Sequence, residues 1–159
     1  KLQNAGKLHR NFQGYTTQEE CDLLGLGVSS ISQIGDCYAQ NQKDIRPYYE
    51  SIDANGHALW KGCSLNHDDE IRRAVIKQII CHFDLDMDKI EQKFAINFDE
   101  YFAEDLKLLQ TFINDKLVDI TDRKLTVSQT GRLLIRNICM CFDVYYRQKA
   151  RQQQFLRVI

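Results

Sequence analysis

Two neighbouring segments hold the residue types that bind a small polar ligand. Residues 11–17 (NFQGYTT) form a short polar and aromatic loop, and residues 24–32 (LGLGVSSIS) follow as an apolar, glycine-containing run that ends in serines. Segments of this kind line the C-terminal lip of an α/β barrel, where small polar ligands bind. From residue types alone, the two segments predict a ligand site and do not specify the ligand.

No catalytic or metal-binding motif is complete in the sequence. The four histidines are widely spaced, so a zinc site would need ligands from distant segments. Residues 84–88 (DLDMD) begin like a calcium loop, but Lys89 and Ala95 stand where that loop needs a glycine and a bidentate carboxylate. An acidic helix-capping turn fits these aspartates better. We therefore predict no catalytic residue and no metal ligand in this chain.

The six cysteines favour burial in a reducing compartment. No two of them form a C-x-x-C pair, and all lie within or beside apolar segments. On a helix, Cys139 and Cys141 would point to nearly opposite faces, so they could not easily share a metal. We interpret the cysteines as small buried hydrophobic residues and expect a cytoplasmic protein.

Composition and charge restrict the class of protein. The 159 residues contain one proline and are 43% hydrophobic, which is enough for one core or for a small domain with an appendage. No run approaches the ~20 apolar residues of a membrane-spanning helix, so we expect no membrane partner. Residues 84–122 hold eleven acidic residues against four lysines, whereas residues 145–159 hold four basic residues and no acidic one. The chain starts at Lys1, and we interpret it as part of a longer protein.

Apolar periodicity predicts a short first group of elements. Residues 1 to about 18 are predicted to be extended or irregular, and Leu23 to Ile31 is predicted to be a strand buried on both faces. Residues 43–53 should form a short helix, with proline tolerated in its first turn. Residues 57–65 should be extended.

Past residue 65 the apolar period becomes helical. Asn66 can cap a first helix, and we predict further helices at 88–94 and 99–114. A hairpin at residues 117–127 and a final long helix that begins at residue 128 or 130 and reaches residue 145 complete a winged-helix-like outline. The 99–114 helix carries four acidic residues against one lysine. Phosphates would repel it, so we expect no nucleic-acid partner, and a winged-helix binding module stays an alternative.

Three segments carry a resemblance to a known family. They are residues 8–17 (LHRNFQGYTT), residues 34–41 (IGDCYAQN), and the run from 131–143 (GRLLIRNICMCFD) to 157–159 (RVI). With them, the chain resembles the C-terminal third of bacterial oxygen-independent coproporphyrinogen III oxidases, radical S-adenosylmethionine (SAM) enzymes of haem biosynthesis. A haem-chaperone-like radical SAM relative is the alternative within that superfamily.

The resemblance implies an α+β, mostly α-helical fold. Residues 1–62 would be the end of the radical-SAM catalytic domain, the terminal piece of its barrel. Residues 63–159 would be a helical, winged-helix-like C-terminal domain with a small β-hairpin. For the intact protein it implies oxidative decarboxylation of two propionates of coproporphyrinogen III to vinyl groups, giving protoporphyrinogen IX with the help of an external electron donor. We expect a monomer.

The resemblance also implies two cofactors, SAM and a [4Fe-4S] cluster. The family's C-x-x-x-C-x-x-C cluster motif is missing from this sequence, so the ligands would lie elsewhere and this part would be inactive alone. The family's SAM-binding residues in this region fall on Phe12, Gln13 and Ile31. Gln13 offers amide donors and an acceptor, and the other two offer apolar walls. We further hypothesise that some of the arginines near the C-terminus help to seat or attract the substrate carboxylates: Arg136, Arg147, Arg151 and Arg157. The alternative is that this arginine-rich helix docks on the rest of the barrel.

Overall fold

The computed structural model describes residues 8–12, 14–18 and 21–149. It has an α+β fold, as the sequence predicts, and divides into two compact units. One unit is His9–Glu70, and the other begins at Ile71. Among the described residues, none of the helices has the length and hydrophobicity of a transmembrane span. A domain boundary between residues 62 and 63 stays a prediction about the longer protein.

The first unit contains a two-stranded ribbon, a three-stranded antiparallel sheet in the order β3-β4-β5, and one helix. Its elements are β1 (His9–Asn11), β2 (Gly14–Thr16), β3 (Ile31–Ile34), β4 (Cys37–Asn41), α1 (Ile45–Asn55) and β5 (Leu59–Ser64). Helix α1 confirms the predicted short helix. Gly56 ends it with a left-handed backbone (φ 74°) and donates its N–H to the carbonyl of Ile52 at 2.8 Å.

The predicted buried strand from Leu23 to Ile31 was wrong. Leu23 forms only an isolated antiparallel bridge with Gln33, and Leu24 and Leu26 are 68% and 84% exposed. Gly27 and Ser29 have positive φ angles of 98° and 60°, which break an extended chain. An apolar run forms a buried strand only where other helices or sheets cover both of its faces. Among the described residues, no helix or sheet covers this segment on both faces.

The first unit has almost no core of its own. Ala58 is its one buried hydrophobic residue among those described, and the hydrophobic core cluster lies wholly in the second unit. All six residues of β5 are exposed. A domain of about 60 residues needs most of its apolar surface buried to be stable, so this unit is poorly stabilised by itself.

The second unit has a winged-helix-like order of elements around a three-stranded antiparallel sheet, β6-β8-β7. Its elements are α2 (His67–His82, which begins in the first unit), β6 (Asp84–Asp86), α3 (Met87–Phe94), α4 (Phe98–Tyr101), α5 (Ala103–Asn114), β7 (Val118–Thr121), β8 (Lys124–Val127), a 3-10 turn (Gly131–Leu134) and α6 (Ile135–Met140). Phe98, Phe102 and Phe142 pack their rings together at its centre. The predicted helical C-terminal part with its hairpin is confirmed.

Helix α2 forms for the reasons that the sequence predicts. The Asn66 side chain accepts from the N–H of Asp69 at 2.9 Å, and Asp69 accepts in return from the N–H of Asn66 at 3.0 Å. This reciprocal pair satisfies two amides that the first turn would leave without partners. Ile71, Val75 and Ile79 are fully buried along one stripe.

The predicted long final helix was wrong. After the 3-10 turn, α6 ends at Met140, and Asp143 starts a new helical run at residues 144–149 by accepting from the N–H of Tyr146 at 3.0 Å. The break lets the Phe142 carbonyl accept from Arg72 at 3.1 Å. A tertiary hydrogen bond therefore replaces the helical pattern at this point, which apolar periodicity does not report.

The acidic segment at residues 84–88 combines two roles. Asp84–Asp86 pairs with β8 as a strand, which the sequence did not predict. The Asp86 side chain also accepts from the N–H of Lys89 at 3.2 Å and so caps α3. The interpretation of these aspartates as a helix-capping turn is thus confirmed for Asp86.

Candidate functional site

Phe12 lies directly after β1, in the connection to β2. Its ring is 58% exposed and meets the ring of Tyr38 edge to face, with centroids 5.2 Å apart and planes at 85°. Asn11 shapes this connection because its side chain accepts from the N–H of Gly14 at 3.1 Å, while Gly14 takes a positive φ of 132°. The β1–β2 ribbon therefore holds an aromatic ring against β4. Gln13 lies outside the described residues.

Strand register places Ile31 on the sheet face that Phe12 contacts. Ile31 pairs with Gln40, and Gln33 pairs with Tyr38. Paired residues of an antiparallel ladder share a face, and alternate residues of one strand also share it. Ile31, Tyr38 and the two glutamines therefore project from the same face, with Phe12 packed on Tyr38. We name this surface the β3–β4 face.

A tightly hydrogen-bonded loop, Gly25–Ser30, precedes Ile31. The N–H of Gly25 donates to the buried hydroxyl of Ser32 at 3.0 Å, and the N–H of Ser29 donates to the carbonyl of Gln42 at 2.8 Å. A Cβ on Gly25 would stand 2.9 Å from the carbonyl carbon and oxygen of Ile31. Only glycine permits this close approach, so the loop fixes the backbone of Ile31.

A second polar constellation lies in the second unit and is buried. The Asp105 carboxylate, 1% exposed, accepts from Arg72 at 2.8 Å and lies 3.1 Å from the Arg147 guanidinium. Burial raises the pKa of the Asp105 carboxyl, whereas the two arginines lower it. These charges already bind one another, so we interpret the cluster as structural. A sequence signal existed, since Asp105 stands on the stripe of Phe102 and Leu109.

The chain is similar to known proteins over nearly its whole length. Residues 65–134 match the HemN C-terminal domain family. Over 157 residues, 99% of its length, the chain is 61% identical to the oxygen-independent coproporphyrinogen III oxidase of Escherichia coli (strain K12) and 50% identical to that of Pseudomonas aeruginosa. The chain therefore matches the C-terminal part of oxygen-independent coproporphyrinogen III oxidases. It spans about a third (34%) of the length of these two relatives.

A solved structure agrees with these sequence matches. It is described as coproporphyrinogen III oxidase (HemN) from Escherichia coli, a radical SAM enzyme. The match has a TM-score of 0.86 and 60% sequence identity, and covers 91% of this chain and 33% of that one. The predicted resemblance to the C-terminal part of oxygen-independent coproporphyrinogen III oxidases is therefore confirmed, together with the fold class.

The β3–β4 face brings an aromatic ring, an aliphatic side chain and amide groups together. Phe12 presents an exposed ring, the kind of surface on which purines and cations pack in proteins, and Ile31 presents a half-buried aliphatic side chain. Gln33 and Gln40 bring amide groups to the same face. The roles of Phe12, Gln13 and Ile31 in binding stay predictions. Sequence reasoning missed Tyr38, which orients Phe12 and lies in the IGDCYAQN segment.

The described residues do not fit a [4Fe-4S] cluster. No group of three metal-ligating side chains comes together among them. Cys21, Cys37 and Cys63 are exposed, so our interpretation of all six cysteines as buried was wrong for these three. In the second unit, burial and the Asp105 charge raise the pKa of the Cys141 thiol to about 11. Cluster ligands are thiolates, and Cys141 is held in the opposite state.

Thiol labelling tests this division of the cysteines. With a maleimide at pH 7.5, we expect Cys21, Cys37 and Cys63 to react in the native chain, because they are exposed. Cys141 should react only after unfolding, because its thiol is buried and protonated below a pKa of about 11. Mass spectrometry of labelled peptides gives the rates. Labelling of Cys141 in native protein as fast as of Cys37 would contradict the assignment.

The arginines near the C-terminus divide into different cases. Arg147 is bound to Asp105, so a substrate carboxylate would have to compete with a buried partner. Arg136 is exposed on α6. Arg151 and Arg157 lie outside the described residues. Contact between these arginines and substrate stays a hypothesis, and it is weakest for Arg147.

Proposed function

We propose that this chain is the C-terminal part of an oxygen-independent coproporphyrinogen III oxidase, a radical SAM oxidoreductase of porphyrin and haem biosynthesis. The whole enzyme would convert two propionates of coproporphyrinogen III to vinyl groups with loss of carbon dioxide. The identity of 61% over 99% of the chain supports this proposal. The structural observation that supports it is the β3–β4 face, which carries Ile31 and Tyr38, with the Phe12 ring packed on Tyr38.

In this proposal the first unit supplies one side of the SAM site. The Phe12 ring packs against the adenosyl or sulfonium group, and Ile31 excludes water from it. Gln13 fixes a polar group of the ligand through its amide without adding charge. The cofactor supplies the oxidising chemistry when bound, and these residues only bind and orient it.

The other side of the site belongs to the rest of the polypeptide. The chain spans about a third (34%) of its relatives, and the first unit leaves β5 and several apolar side chains uncovered. The remaining part would cover this surface and supply the [4Fe-4S] ligands. We therefore infer that the chain alone is inactive and binds SAM weakly, because half of a site is not preorganised. An external electron donor, a monomeric enzyme and a cytoplasmic location complete the proposal.

Replacing Phe12 with alanine tests the proposed site. In the full-length polypeptide we expect Phe12→Ala to raise the dissociation constant of SAM about tenfold, the equivalent of ~1.4 kcal/mol, because a ring contact and its apolar area are lost. Equilibrium dialysis with labelled SAM measures the constant. Conversion of coproporphyrinogen III by the wild-type enzyme, followed by chromatography of the porphyrins, tests the activity itself.

Tyr49→Ala is the matched control for Phe12→Ala. Tyr49 is a comparably exposed aromatic residue of the same unit, but it lies on α1 and belongs neither to the β1–β2 ribbon nor to strands β3 and β4. It should leave SAM binding unchanged. If the two replacements changed the dissociation constant of SAM equally, Phe12 would have no specific role in SAM binding. A wild-type polypeptide that forms no protoporphyrinogen IX from coproporphyrinogen III and SAM would refute the proposed function.

A further inference from the structure

We propose that Asn41 is a positioning residue for the SAM site. Asn41 does not contact the ligand. It holds the Gly25–Ser30 loop in place, and the loop in turn positions Ile31. This inference rests on the proposed function, since it assigns a supporting residue to the same site. Neither the sequence motifs nor the resemblance assigned a role to Asn41.

Asn41 joins the end of β4 to the loop through both its side chain and its backbone. Its side-chain nitrogen donates to the carbonyl oxygen of Gly27 at 3.0 Å and to the hydroxyl of Ser30 at 3.1 Å. Its backbone N–H donates to the carbonyl of Ser30 at 3.0 Å. One residue therefore holds both the middle and the end of the loop.

The network requires a side chain with two donors. The Ser30 hydroxyl already donates its proton to the carbonyl of Gly27 at 2.8 Å, so towards Asn41 it can only accept. The carbonyl of Gly27 can also only accept. An amide nitrogen satisfies both groups. Aspartate has the same shape but presents an oxygen to these two acceptors. Alanine leaves the Ser30 hydroxyl without the amide donor and leaves the Gly27 carbonyl with the Ser30 hydroxyl alone.

The loop cannot hold its conformation through local preference alone. Ser29 has a φ of 60°, a left-handed conformation that is unfavourable for a residue with a Cβ. Hydrogen bonds from β4 and its end must therefore maintain it. Gln40 donates to the Ser29 carbonyl at 3.1 Å, and the bonds of Asn41 act beside it.

Movement of the loop would be passed on to Ile31. The loop runs directly into β3 at Ile31, and the backbone of Gly25 lies against the backbone of Ile31 with no room for a Cβ. On the other side, Ser32 is 6% exposed and accepts from the N–H of Gly25. The Ile31 side chain is thus aimed at the β3–β4 face by the loop, and Asn41 determines the shape of that loop.

The test uses the full-length polypeptide with Asn41→Ala and Asn41→Asp. We expect Asn41→Ala to raise the dissociation constant of SAM about tenfold and Asn41→Asp to raise it further, with the turnover number at saturating SAM within about twofold of wild type. Without SAM, the amides of residues 25–31 should exchange hydrogen faster in both variants. Asn55→Ala, an exposed asparagine at the end of α1, is the matched control and should change neither quantity.

The outcomes show whether Asn41 positions the loop or has no such role. If Asn41→Ala binds SAM like wild type and residues 25–31 exchange at the wild-type rate, the inference is overturned. If Asn41→Ala does not fold, Ser30→Ala replaces it. That variant removes one hydroxyl of the network and should loosen the loop and weaken SAM binding; wild-type values for both would overturn the inference. A wild-type polypeptide without SAM affinity would instead refute the proposed function, whereas the exchange rates still report whether Asn41 holds the loop.

Discussion

Replacing Asp105 with alanine should lower the free energy of unfolding of the second unit by about 3–5 kcal/mol. The carboxylate is buried and binds Arg72 on α2 and Arg147 in the helical run at residues 144–149. Its removal would leave two guanidinium groups, themselves mostly buried, without the charge that compensates for their lost hydration. Arg72 also bonds the Phe142 carbonyl, so the break after α6 would lose its support.

Urea unfolding followed by far-ultraviolet circular dichroism measures this loss. Glu104→Ala is the matched control, because Glu104 is the next residue on α5 and pairs with Lys107 at 2.6 Å, but both side chains are exposed. An exposed pair contributes at most about 1 kcal/mol. The double replacement of Asp105 and Arg147 should cost less than the sum of the single ones, since they share one interaction. A loss no larger than that of Glu104→Ala would show that the buried cluster contributes little.

Local rules predicted the elements whose causes are local. The cap at Asn66 and the stripe of Ile71, Val75 and Ile79 both lie within α2, so the sequence contained all that forms this helix. The turn between β7 and β8 was predictable for the same reason. Asp122 and Arg123 form it with positive φ angles of 49° and 59°. Aspartate tolerates this left-handed conformation better than most residues.

The predictions failed where distant groups decide the structure. Leu23 to Ile31 has the composition of a buried strand, but whether it is buried depends on layers that the described residues do not contain. At the break after α6, the Phe142 carbonyl bonds Arg72, which is 70 positions away in the sequence. Asp105 shows the same limit, since its position on an apolar stripe indicates burial while its partners follow only from the tertiary fold.

The candidate site was also predicted in part from local sequence, while the rest depends on the tertiary fold. Residue types at 11–17 and 24–32 predicted a ligand site, and the resemblance narrowed the ligand to SAM. Neither could show that Tyr38 orients Phe12 or that Asn41 holds the loop before Ile31, because both facts depend on strand register. A one-residue shift in that register would move Tyr38 to the opposite face.

Replacing Gly131 with alanine should destabilise the second unit by about 2 kcal/mol, although helix propensity favours alanine there by up to ~1 kcal/mol. The added Cβ would stand 2.2 Å from the carbonyl oxygen of Leu117 and 2.9 Å from the Val127 side chain. That oxygen accepts from the N–H of Ser128 at 2.9 Å, so it cannot move without breaking the bond. Gly56→Ala adds the same methyl group where nothing lies within 4 Å. Its left-handed backbone (φ 74°) adds strain to the first unit, so the urea midpoint of the second unit should stay unchanged. If the Gly131→Ala chain were as stable as wild type, the 3-10 turn would be able to move away from β8. Packing against Leu117 would then not determine where α6 begins.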